Sequence, residues 1–138
     1  NFFISNREKL SLEKKKITSS ASVFELMQPI IGELPHEEFW IIYLNNSNKV
    51  IQKNQLSKGG ITGTLVDVRL ALKTALEVGA TGIILAHNHP SGTLKPSNSD
   101  KQLTTKLNTA AQSLDIKILD HLIITEKAYF SFADESLL

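Results

Sequence analysis

The residues of this chain best equipped for chemistry are two imidazoles on alternate positions, a turn, and a carboxylate just beyond it. They are His87 and His89 in the run Leu85-Ala86-His87-Asn88-His89-Pro90-Ser91-Gly92, followed by Pro96, Ser97 and Asp100. Thr81–Ala86 (TGIILA) is a short apolar run of the buried-strand type, and side chains two apart on a strand project to one side, so His87 and His89 are expected to face together. Pro90-Ser91-Gly92 is turn chemistry. Leu103, Leu107, Ala110, Ala111 and Leu114 have helical spacing, which predicts a helix over Ser97–Leu114 with Asp100 in its first turn, aimed back at the pair. Two neutral imidazoles and one carboxylate give three ligands at about 2.0–2.2 Å and leave a fourth tetrahedral position for water, the pattern of a catalytic zinc site. An open position of that kind is what a hydrolase needs, and one Zn2+ ion per chain is the expected cofactor.

Structural explanations of the same residues are at hand. An HxH pair is weak by itself, and Ser97-x-x-Asp100 also fits a helix capping box, although Glu or Gln is the usual partner and Asp is short for the task.

Together the pieces resemble a known family. H-x-H, seven residues, Ser, two residues and Asp, met by His87, His89, Ser97 and Asp100, is similar to the signature of the JAMM metalloproteases, the JAB/MPN domains. The longer string HNHPSG, with GTLVDVR upstream and LDHLIIT downstream, resembles more specifically the RadC-type JAB domain, from about Glu33 to the C-terminus. The resemblance implies a JAB/MPN (cytidine-deaminase-like) architecture and cleavage of a peptide or isopeptide bond in a protein or peptide substrate. It also implies a glutamate general base just before the first core strand. In His36-Glu37-Glu38-Phe39-Trp40 both Glu37 and Glu38 are candidates; RadC-type segments point to Glu37, and strand alternation puts Glu38 on the opposite face, so only one can look into the site. Ser97 is implied as a donor to the developing oxyanion. Asn88 and Ser91 stand where they can orient the imidazoles. Asp120-His121 interrupts an apolar strand pattern; the resemblance suggests a supporting role, but a satisfied core histidine explains His121 more simply, and it stays outside the ligand set. His36 is expected to be exposed. RadC-type members carry a historical DNA-repair label that a JAB domain alone does not explain, so nucleic acid enters only by that association. A non-catalytic JAB interaction module is the main alternative, and a metal-dependent nuclease a lesser one: His87-Asn88-His89 are consecutive, whereas HNH nucleases spread those residues over a ββα unit.

Composition narrows the field. The 138 residues suit one domain, and 41% hydrophobic with 21% charged residues is ordinary globular composition. A net charge of +1 makes no electrostatic case for nucleic acid or membrane, and Lys14-Lys15-Lys16 is the only basic cluster. Without cysteine there are neither disulfides nor thiolate zinc sites, which excludes cytidine-deaminase chemistry and is compatible with the expected cytoplasmic location. No stretch reaches the length of a membrane span, and the first residues lack a signal-peptide pattern.

The elements that must position the site follow from the pattern. Residues 1–18 are expected to form an extended or poorly ordered arm, and 19–138 one JAB/MPN-type domain. Within it, Ser19–Leu34 is predicted helical with Pro29 bending or ending it, Glu38–Asn45 a strand, and Lys49–Leu56 its hairpin partner. Ile61–Leu65 continues as strand, Asp67–Gly79 is a helix, Ile116–Thr125 a strongly apolar strand, and Tyr129–Phe132 a short last one. Strands alternating with helices predict an α/β domain, a mixed sheet packed between helices.

Overall fold

Ser19 opens the first helix: its hydroxyl accepts the Ser22 N–H, and the Ser22 hydroxyl accepts the Ser19 N–H in return. In the computed structural model, which describes residues 15–58 and 66–138, this helix, α1, spans Ser20–Ile31 and runs two residues past Pro29 before ending. β1 (Glu38–Leu44) and β2 (Val50–Lys58) form the expected hairpin. α2 (Val68–Val78) starts at Asp67, whose carboxylate caps the Leu70 N–H, and stops at Gly79, whose φ of 73° is open to glycine. β3 (Gly82–Asn88), α3 (Asn98–Gln112), β4 (Lys117–Ile124) and β5 (Tyr129–Ser131) complete the chain. The strand predicted over Ile61–Leu65 lies outside the described residues.

The five strands form one mixed sheet in the order β2-β1-β3-β4-β5, with β3 and β4 parallel and every other neighbouring pair antiparallel. Each face is covered by helices, because the inner strands are apolar on both sides. Phe39, Ile41, Tyr43, Ile83 and Leu85 pack with Ala71 and Ala75 of α2 and Leu107 and Ala111 of α3. Ile42, Leu44, Ile84, Ala86, Leu122 and Ile124 pack with Val23, Met27 and Ile31 of α1. Full burial of a side chain such as Met27 or Leu107 contributes about 1.5–3 kcal/mol. This is the α/β arrangement of the JAB/MPN fold, a mixed sheet between helices.

Two boundaries differ from the sequence reading. Lys15–Thr18, expected in the arm, are part of the fold: Ile17 is buried, its N–H donates to the Asn48 carbonyl at 2.8 Å, and Val50 N–H donates to the Lys15 carbonyl at 2.8 Å. A single apolar residue among lysines leaves little periodic signal, so the local pattern hides the pairing; residues 1–14 of the predicted arm lie outside the described residues. The central strand also runs two residues beyond Ala86, so that His87 and Asn88 belong to β3 itself. Both are polar, yet their backbone pairs with β1 or β4, whose apolar runs continue alongside.

Candidate metal centre

β3 and α3 bring the predicted ligands together. His87 ends the apolar stripe of Ile83 and Leu85 on the face covered by α3, and His89 follows just past the strand, its N–H donating to the Ile124 carbonyl at 3.1 Å. Gly92, at a φ of 86°, turns the chain so that the Thr93 carbonyl meets His89 Nδ1 at 2.9 Å. On α3 the buried stripe is Asp100, Thr104, Leu107 and Ala111, which places a carboxylate at the end of an apolar helix face.

The distances are those of a coordination sphere. His87 Nε2 and His89 Nε2 lie 3.0 Å apart, Asp100 Oδ1 is 3.4 Å from His87 Nε2, and Asp100 Oδ2 is 3.6 Å from His89 Nε2. Metal bonds of about 2.0–2.2 Å at tetrahedral angles set donor atoms about 3.3 Å apart. The two imidazoles and the Asp100 carboxylate therefore fit a small divalent ion. Glu37 is the other acidic neighbour: ligand atoms of Glu37, His87 and His89 all fall within 4.8 Å of one another. The histidine pair thus has a carboxylate available from the residue just before β1 and another from the following helix.

Charge follows this geometry. Burial pushes the Asp100 carboxyl up, but hydrogen bonding from His87 and His89 and the charge of His87, both exerted when those rings are protonated, and the Ser97 N–H outweigh it and hold Asp100 well below the usual carboxylate range. For His89, burial lowers the pKa, while hydrogen bonds to Asp100 and to the Thr93 carbonyl, with the charges of Asp100 and Glu37, raise it on balance. His121 is pushed well below its ordinary value, first by burial and then by the charge of His87.

Glu37 and Glu38 take different roles. Glu38 has its Oε2 2.8 Å from His36 Nε2 and its Oε1 accepting the Trp40 indole N–H at 3.1 Å, and it is Glu37 that groups with His87 and His89. His36 is accordingly half-buried and partnered rather than exposed, because the carboxylate two residues on folds against it. Ser97 and Asp100 do form the capping box: Ser97 N–H donates to Asp100 Oδ2 at 2.9 Å, and Asp100 N–H donates to Ser97 Oγ at 3.0 Å. Asp is long enough for the task here, and one carboxylate both caps α3 and faces the imidazoles. The Ser97 hydroxyl accepts in that box, which leaves its own proton free to donate.

The side-chain hydrogen bonds of Asn88 and Ser91 go to the backbone rather than to the imidazoles. Asn88 is buried and binds the backbone of residues 36 and 38, while exposed Ser91 accepts the Thr93 N–H. The residue that sequence reading set aside is His121. It is fully buried and satisfied, as expected of a core histidine, and it is also a neighbour of the site, with Nε2 2.8 Å from His87 Nδ1. A histidine and an aspartate inside an apolar strand were the available signal. A cleft of about 440 Å³ opens beside His89, lined in part by Gly32, Leu34, Pro90, Leu94 and Thr125.

A mixed sheet between helices, with an H-x-H strand end facing an aspartate on the next helix, defines a JAB-type domain. The chain belongs to the RadC-like JAB domain family, whose model matches residues 17–137. It is 69% identical over 126 residues to a UPF0758 protein of Flavobacterium johnsoniae, covering 91% of this chain and 55% of that protein. It is 48% identical over 126 residues to a UPF0758 protein of Porphyromonas gingivalis, covering 91% and 56%. A UPF0758 protein of Chlorobaculum parvum is 40% identical over 124 residues, covering 90% and 56%. The chain spans about half the length of these curated relatives. Among the described residues, no helix is long and apolar enough to cross a membrane.

Proposed function

We propose that this domain is a metal-dependent hydrolase of the JAMM type that cleaves a peptide or isopeptide bond in a protein or peptide substrate, in the cytoplasm. The observation that carries the reading is the convergence of His87 Nε2, His89 Nε2 and the Asp100 carboxylate at ligand-to-ligand distances, with Glu37 beside the same pair. Zn2+ is the ion whose preferred ligands and geometry this set matches; when bound it would act as a Lewis acid, polarising a carbonyl and acidifying a water.

The chain's own residues supply the remainder. Glu37 takes a proton from the attacking water and returns it to the leaving nitrogen, as a general base and then a general acid. Ser97, whose hydroxyl proton is not used by the capping box, donates to the carbonyl oxygen as negative charge develops there. The cleft beside His89 is where a substrate chain would approach the site. Asp100 would neutralise part of the ion's charge with the same carboxylate that caps the start of α3.

The test is elemental analysis of protein purified without added metal, together with hydrolysis of a peptide and isopeptide panel. About one zinc per chain, lost in His87→Ala/His89→Ala, with turnover lost in Glu37→Gln while metal is retained, supports the reading. A wild-type protein that neither contains a divalent ion nor takes one up on titration overturns it and leaves an interaction module.

A further inference from the structure

We propose that Thr104 and His121 are positioning residues that fix the tautomer of His87, so that its Nε2 lone pair is presented to a divalent cation; this rests on the metal-site reading above. A chain of three hydrogen bonds carries the inference. His87 Nδ1 lies 2.8 Å from His121 Nε2, His121 Nδ1 lies 2.6 Å from Thr104 Oγ1, and the Thr104 hydroxyl donates to the Asp100 carbonyl at 3.0 Å. His87 and His121 are fully enclosed and Thr104 nearly so, so these groups have one another as partners rather than solvent.

The direction of the chain is set at its far end. A carbonyl oxygen only accepts, and a hydroxyl has one proton to give. With that proton on the Asp100 carbonyl, Thr104 Oγ1 accepts from His121, so the His121 proton sits on Nδ1. A neutral imidazole carries one N–H, so His121 Nε2 is an acceptor and takes the Nδ1 proton of His87. His87 is left with a bare Nε2, the atom 3.0 Å from His89 Nε2. His89 reaches the same tautomer independently, because its Nδ1 faces the Thr93 carbonyl, another group that only accepts. The reverse direction would put a proton on His87 Nε2 and close it to a cation.

The rings are also held against rotation. His87 stacks on Phe39 with centroids 5.1 Å apart and planes 5° from parallel, and His121 stacks on Phe132 at 4.4 Å and 13°. The circuit starts and ends on one residue. Asp100 faces His87 Nε2 with its carboxylate and anchors the relay to His87 Nδ1 with its carbonyl. Outer partners that hold a ligand imidazole in one tautomer are worth about 10- to 100-fold in metal affinity.

Zinc titration calorimetry on the full chain, with Thr104→Val and Thr104→Ser, tests this. Thr104→Val keeps the shape and removes the hydroxyl. It is expected to fold, as circular dichroism would report, and to weaken zinc binding about 10- to 100-fold, whereas Thr104→Ser retains wild-type affinity. Long-range 1H–15N spectra of the metal-free protein are expected to show His87 with its proton on Nδ1 in wild type and a tautomer mixture in Thr104→Val. Unchanged affinity in Thr104→Val, an equal loss in Thr104→Ser, or a wild-type His87 protonated on Nε2 overturns the relay, and this last readout stands even if Thr104→Val does not fold. Absence of zinc binding by wild type instead overturns the metal-site reading, and the proposal with it.

Discussion

Asn88 holds Glu38 by its backbone: its side-chain oxygen accepts the Glu38 N–H at 2.7 Å, and its amide nitrogen donates to the His36 carbonyl at 2.9 Å. The residue between those two anchor points is Glu37. One buried amide on the histidine-bearing strand therefore holds the backbone on either side of the proposed base. Asn88→Ala removes both bonds. It is expected to lower kcat of peptide hydrolysis while zinc stoichiometry and KM change little, and to cost about 1–3 kcal/mol in urea unfolding for the backbone groups left without a partner. Wild-type kcat in Asn88→Ala would show that Glu37 is placed by something else.

The two glutamates should separate cleanly. General-base removal typically costs 10²–10⁴-fold in rate, so Glu37→Gln is expected to lose about that much turnover with metal content intact. Glu38→Gln, altering a carboxylate engaged with His36 and Trp40, should keep most of its activity. Side-by-side turnover assays decide, and the opposite ranking would transfer the role to Glu38.

Ser97 serves the helix and, in our reading, the reaction. Ser97→Ala loses the acceptor for the Asp100 N–H and is expected to destabilise the protein by about 0.5–2 kcal/mol. Zinc content should remain while turnover falls. If stability drops and turnover does not, the hydroxyl is a cap and nothing more.

How far the sequence could be read depends on the range of the interaction. The turn at Pro90-Ser91-Gly92, the strand end at His87 and the first turn of α3 are local, and their spacing predicts a cluster that the structure does assemble. The dual use of Asp100 was harder to see, because its reach to the Ser97 N–H depends on the exact backbone of the helix start. The hydrogen-bond partners of Asn88 and His121 are not legible in the sequence for a different reason. Their partners lie on β1 and α3, far away in the chain, and strand register decides which polar side chain meets which. The pairing of Lys16 with Lys49 was invisible for the same reason.

Asp120 gives a pH dependence with a definite sign. Burial raises its carboxyl above the ordinary 3.8, against hydrogen bonds from Ala133 N–H, the Ser131 hydroxyl and His121 N–H. An acid whose pKa is raised by folding stabilises the fold when protonated, fully below its unfolded pKa, and that contribution is lost as pH rises through the folded value. Asp120→Asn cannot ionise and keeps an oxygen for the two N–H donors. Its stability relative to wild type should therefore increase on going from acid to neutral pH, measured by urea unfolding at several pH values. A difference that is flat across that range would mean that the three hydrogen bonds already offset the burial.

The candidate ligands all lie between positions 87 and 100, joined by one turn, whereas Glu37, just before β1, is encoded long before them and is brought beside them by the pairing of β1 with β3. Closing the short segment costs little entropy compared with assembling the sheet. The ligand set is thus nearly contiguous in the chain, whereas the proposed base joins it only through the sheet.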